Sequence, residues 1–120
     1  MRSHPLAGGE YLHSVMKPGA SENGKSAREN QAALRELVPA GQRLPLLVDA
    51  RKMRSMDKEA REVYASETTT TFATCVAIVG DSPVVSMLAN IHLTLFDPKC
   101  PTKLFTAEAS ALKWMGEHRK

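Results

Sequence analysis

Phe72-Ala73-Thr74-Cys75-Val76-Ala77-Ile78-Val79 leads straight into Gly80. From Cys75 to Val79 the run is apolar without interruption, so neither face of the segment is left for water. An extended chain turns successive side chains to opposite faces, and a run apolar on both predicts a strand covered from both sides. Leu44-Pro45-Leu46-Leu47-Val48 repeats the pattern and ends at Asp49. Continuous rather than alternating runs argue for a parallel sheet in an α/β protein.

Outward from these two runs, Tyr11 to Lys17 alternates weakly and suits an edge strand, and Lys103 to Phe105 is a further short strand. Helices fill the intervals. Ser26 to Leu37 is rich in helix formers, carries Ala27, Leu34 and Leu37 at helical spacing, and is closed by Pro39. Asp57 opens a second helix as its cap, running to about Thr70, and carries Ala60, Val63 and Tyr64 on one side, though its threonine-rich tail, Thr68 to Thr71, has poor helix propensity. Ser82 and Pro83 form a cap and first-turn pair before a third helix, Val84 to Phe96. Thr106 caps the last, from Ala107 to about Glu117. The alternation of strand and helix predicts a small α/β sandwich: about four mostly parallel strands and about four helices, in one domain over residues 11–118 behind a flexible segment, residues 1–10.

Composition sets limits on function. The chain has 120 residues, 42% apolar, 24% charged and 5% aromatic, which fits one globular domain. No window reaches the ~18 consecutive apolar residues of a membrane span, and no apolar run follows Arg2 as in a secretory leader, so a cytoplasmic address is expected. Sixteen Lys and Arg against thirteen Asp and Glu leave a net charge of +3, too small an excess to predict a nucleic-acid partner. Cys75 and Cys100 form no CxxC pair. His4, His13, His92 and His118 show no HExxH or HxH spacing, so neither metal nor cofactor is expected.

Gly19-Ala20-Ser21-Glu22-Asn23-Gly24-Lys25-Ser26 matches the phosphate-binding pattern GxxxxGK[ST] letter for letter. In such a loop Gly19, Gly24, Lys25 and Ser26 would hold phosphate, and Leu46-Leu47-Val48-Asp49 imitates the acidic strand that accompanies it. Two features count against a nucleotide-binding module. The preceding residues are polar and end in Pro18, which cannot donate to a central strand, and four short strands are fewer than a nucleotide-hydrolysing core uses. The competing reading is a turn leading into a helix capped by Ser26. Gly80-Asp81-Ser82 resembles the nucleophile block of GDS-type esterases, but no Asp-x-x-His pair follows near the C-terminus and Ser82 reads as a helix cap.

Two surfaces are candidates for binding. Arg51, Lys52, Arg54 and Lys58, with Asp57, gather after the second apolar run, where open α/β sheets bind ligands beyond the carboxyl ends of their strands. An anion or an acidic partner is one reading there, a solvated face the other. In the third helix, Val84, Met87, Leu88, Ile91 and Leu95 form one apolar stripe, and Val85, Ala89, His92 and Phe96 a second about 100° away. One stripe docks on the sheet. The other needs a neighbouring helix, a ligand or a second subunit, and a homodimer is expected from it.

Four blocks carry a resemblance: Leu44-Pro45-Leu46-Leu47-Val48-Asp49-Ala50-Arg51, Ala77-Ile78-Val79-Gly80-Asp81-Ser82-Pro83-Val84, Pro101-Thr102-Lys103-Leu104-Phe105-Thr106 and Ala111-Leu112-Lys113-Trp114-Met115. Together they resemble bacterial STAS-like proteins related to anti-sigma-factor antagonists, over about Tyr11 to Met115. The resemblance implies a SpoIIAA-like sandwich and a non-catalytic role in regulation, through a regulatory protein or a small ligand. It also implies one departure. Phosphorylatable antagonists carry an Asp-Ser step at the head of the helix that follows the strand ending in Asp. Aligning Asp49 puts Asp57 on the acid and Lys58 on the serine, so the phosphate switch does not carry over.

Overall fold

In a computed structural model the described residues are 2–5, 11–16, 19, 21–80 and 100–117. Strand β1 is Arg2–Pro5, β2 Leu12–Val15, β3 Ser21–Glu22 and β4 Leu44–Asp49, with helix α1, Gly24–Leu37, between the last two. There follow β5 (Ser55–Met56), α2 (Lys58–Ala65), a 3-10 turn (Glu67–Thr71), β6 (Ala73–Val79), β7 (Thr102–Phe105) and α3 (Glu108–Glu117). The main sheet has the order β1-β2-β4-β6-β7, and β3 pairs with β5 apart from it. Strands β2, β4, β6 and β7 are parallel, as the continuous apolar runs predict.

Sheet register sorts the side chains into two layers. Leu12, Leu46 and Val76 share one row. On that face Leu12 and Leu46 pack with Leu34 and Val38 of the α1 layer and with Phe72. Leu47, Cys75, Ala77 and Val79 turn the other way, onto Ala111 and Met115 of α3. Both faces are therefore covered, which is why β4 and β6 have no polar alternation. The β4–β6 register shifts between Leu44 and Leu46. Pro45 stands at that point, and a residue without an N–H fits where the ladder is interrupted.

Three expectations are corrected. Arg2–Pro5, inside the segment expected to be flexible, pairs antiparallel with β2, which makes β2 an interior strand and raises the count in the main sheet to five. The burial of Leu12 and Ser14 fits that interior place. Helix α1 starts earlier than expected and its cap is Asn23, not Ser26. Asn23 Oδ1 accepts the Ser26 N–H at 2.9 Å, and Ser26 Oγ accepts the Asn23 N–H at 2.9 Å. Each residue so satisfies a donor that the helix start leaves open. Helix α2 stops at Ala65, because the threonines bond to nearby carbonyls in a tighter turn: Thr70 Oγ1 donates to Glu67 O and Thr71 Oγ1 to Thr68 O, both at 2.6 Å.

The expected helix from Val84 to Phe96, and with it Val85, Ala89, His92 and Phe96, lies outside the described residues, as do Asp81, Ser82 and His118. Three helices are described.

Candidate functional site

The phosphate-loop string folds into something else. Gly19 takes φ 74°, a left-handed value open to glycine, and donates its N–H to Lys52 O at 2.8 Å. Ser21 and Glu22 then form β3 against Ser55 and Met56, so an ordered strand stands where a phosphate-wrapping loop would curl. Ser26 and Asn23 cap each other. The side chain of Glu59, reaching across from α2, fills the space that a Cβ on Gly24 would occupy, and it bonds Arg28 Nη1 at 2.9 Å. A phosphate arriving at Gly24 would meet a carboxylate. Lys25 is exposed on the first turn. The acid of the imitation strand is also committed: Asp49 accepts from Arg51 Nε at 2.9 Å and Nη2 at 2.6 Å, and from the Arg51 backbone N–H at 3.1 Å. The Arg51 side-chain bond, joined by its backbone N–H and its charge, holds the Asp49 carboxyl below its usual range despite burial.

The cationic loop after β4 is dispersed in the same way. Arg51 folds back on Asp49, Asp57 Oδ1 accepts the Ala60 N–H at 2.8 Å as the cap of α2, and Lys58 stands 4.0 Å from Glu62 one turn on. Lys52 and Arg54 are exposed. Arg51, Asp57 and Lys58 are thus each engaged with a neighbour close in sequence. Of the four histidines, His4 pairs with His13 in the β1–β2 ladder, and His13 Nε2 lies 3.9 Å from Glu108 at the start of α3.

What the loop does build is a cavity. Ala50 and Met53 are buried beneath it, and with Met16 they form a cluster at the carboxyl ends of β2 and β4, against which Met56 packs. From there a cavity of about 70 Å³ extends between the sheet and α1 and α2, past Val48, Val76 and Ile78. Its far wall is polar. Tyr64 OH donates to Glu22 Oε1 at 2.5 Å and accepts from Asn30 Nδ2 at 3.3 Å. Gln31 Nε2 donates to Thr69 Oγ1 at 2.7 Å and to Val63 O at 3.1 Å. Burial first, then the Glu22 contact, pushes the Tyr64 phenol well above its ordinary range, so it remains a neutral donor. Burial likewise raises the thiols of Cys75 and Cys100, which leaves them poor nucleophiles.

Sequence reading missed this cavity. Glu22 and Tyr64 stand 42 positions apart and meet only in the fold, Glu22 from β3 and Tyr64 from α2. One signal was present: Met53 and Met56 interrupt the cationic loop, and exposed loops rarely carry two large apolar side chains three residues apart.

Comparison with known proteins agrees with this architecture. The crystal structure of an uncharacterized protein from the DUF3478 family, with a SpoIIAA-like fold, from Shewanella loihica PV-4, superposes with a TM-score of 0.59 at 15% identity. The match covers 88% of this chain and 83% of that one. The fold is therefore SpoIIAA-like. No curated protein matches the sequence. Residues 8–119 match the family model described as "Domain of unknown function (DUF7793)". Among the described residues no helix is long and apolar enough to cross a membrane.

Proposed function

The chain belongs to the DUF7793 family, and from that premise and the geometry above we propose that it is a non-catalytic, cytoplasmic regulatory domain that acts by binding, without a phosphate switch. The observation that carries this reading is the head of α2. There Asp57 spends its carboxylate on the Ala60 N–H, and the next residue, on the first turn, is Lys58. An amine in that place cannot take a phosphoester, so binding is not gated there by a kinase. The dispersal of the acids, Asp49 onto Arg51 and Glu59 onto Arg28, supports a role other than acid–base chemistry.

A homodimer is part of the proposal and rests on the second apolar stripe, Val85, Ala89, His92 and Phe96. A self-complementary contact across a twofold axis covers such a stripe in both copies at once. Sedimentation equilibrium at high micromolar concentration is expected to read a dimer, and Phe96→Glu a monomer with unchanged circular dichroism. A parent protein that is monomeric at that concentration removes the dimer from the proposal.

A further inference from the structure

We propose that the cavity between the sheet and helices α1 and α2 is a binding site for a small uncharged molecule, a compact aliphatic group bearing one hydroxyl. The inference narrows the binding reading above to a ligand class, and it stands or falls separately from the missing phosphate switch.

Four observations select that chemistry. The first is charge: none of the described lining residues is Lys, Arg, Asp, Glu or His. Among the described residues an ion entering would lose its hydration without a partner, so this lining disfavours a charged guest. The second is size. The volume of about 70 Å³ is half that of the ~150 Å³ apolar cavity that takes benzene, so it admits only a compact guest of a few heavy atoms. Val48, Met56, Val76 and Ile78 around it remain half-buried, which gives a guest a way in.

The third observation is the lining itself. Met16, Met53 and Met56 stand together at the strand ends, and thioether side chains adjust to a guest where branched residues do not. Strand carboxyl ends are also where open α/β sheets place their ligands. The fourth is the polar wall. Gln31, 3% exposed, commits its amide N–H groups to Thr69 and Val63, so what its side chain offers a guest is the carbonyl oxygen, an acceptor. The acceptor calls for a donor. A hydroxyl meets it while its carbon skeleton lies against the methionines.

The test uses protein labelled at the methionine methyl groups, titrated with isobutanol and, separately, with isobutyrate. Met115 packs on the opposite face of the sheet and serves as the internal control. Isobutanol is expected to shift the Met16, Met53 and Met56 methyl signals along a saturable curve in the millimolar range, with Met115 unmoved. Isobutyrate is expected to move none of them. Ala50→Leu, which fills the floor of the cavity, is expected to weaken isobutanol at least tenfold, with the Met115 signal certifying the fold; Val48→Phe at the rim makes the same test if Ala50→Leu does not fold. Unsaturable shifts, equal shifts at Met115, equal binding of isobutyrate, or an unchanged titration in the filled variant each overturn the proposal.

Discussion

Phe72→Ala lowers the free energy of unfolding by about 3–5 kcal/mol in urea titrations. Phe72 is 1% exposed and stands just before β6, packed with Leu12, Leu34, Leu46 and Ala73. It fixes the turn as well as filling the core: its carbonyl accepts the Leu44 N–H at 2.9 Å, and its own N–H reaches Thr69 O at 3.3 Å. Removing the ring keeps those backbone bonds and leaves a void beside the existing cavity, where the surroundings relax only partly. Small domains have total stabilities of about 5–15 kcal/mol, so the variant is expected to sit near the edge of folding. A loss below about 1.5 kcal/mol would place Phe72 outside the main core.

Tyr64→Phe is expected to cost about 1.5–3 kcal/mol at neutral pH, the range for a hydrogen bond to a charged group. The change removes one oxygen and leaves the Glu22 carboxyl, 7% exposed, without its 2.5 Å donor. The direction of the phenol's shift adds a pH signature. Folded Tyr64 holds its proton above the ordinary value of 10.0, whereas the unfolded chain releases it there. Stability from this site is thus complete below pH 10 and declines as pH rises beyond it, because only the unfolded state gains by ionising. Chemical unfolding between pH 8 and 11 is expected to show a steeper alkaline decline in the parent than in Tyr64→Phe. Equal slopes would mean that the phenol ionises alike in both states.

The fold was legible where burial alone decides structure. Leu44 to Val48 and Cys75 to Val79 are apolar on both faces, and the parallel sheet follows from them; the SpoIIAA-like fold was legible through the resemblance of the four sequence blocks. Arg2–Pro5 was not legible, because Arg-Ser-His-Pro has no apolar period and becomes a strand through its partner β2. The phosphate-loop string misled by matching letters whose geometry depends on a neighbour: Glu59 lies 35 positions beyond Gly24 in the sequence and in contact with it in the fold. Asp57 as the cap of α2 was readable, since capping is local. The cavity was not, since its wall joins Asn30 of α1, Tyr64 of α2 and Val76 of β6.

Incubation with ATP and a serine kinase of the anti-sigma-factor type, followed by mass spectrometry of the segment from Arg51 to Ala60, tests the regulatory reading most directly. The account predicts no phosphate anywhere in that segment, with Lys58 in the place of the switch serine and Asp57 closing the helix start. Phosphate on Ser55 would contradict it: the switch would then be present, three residues before Lys58.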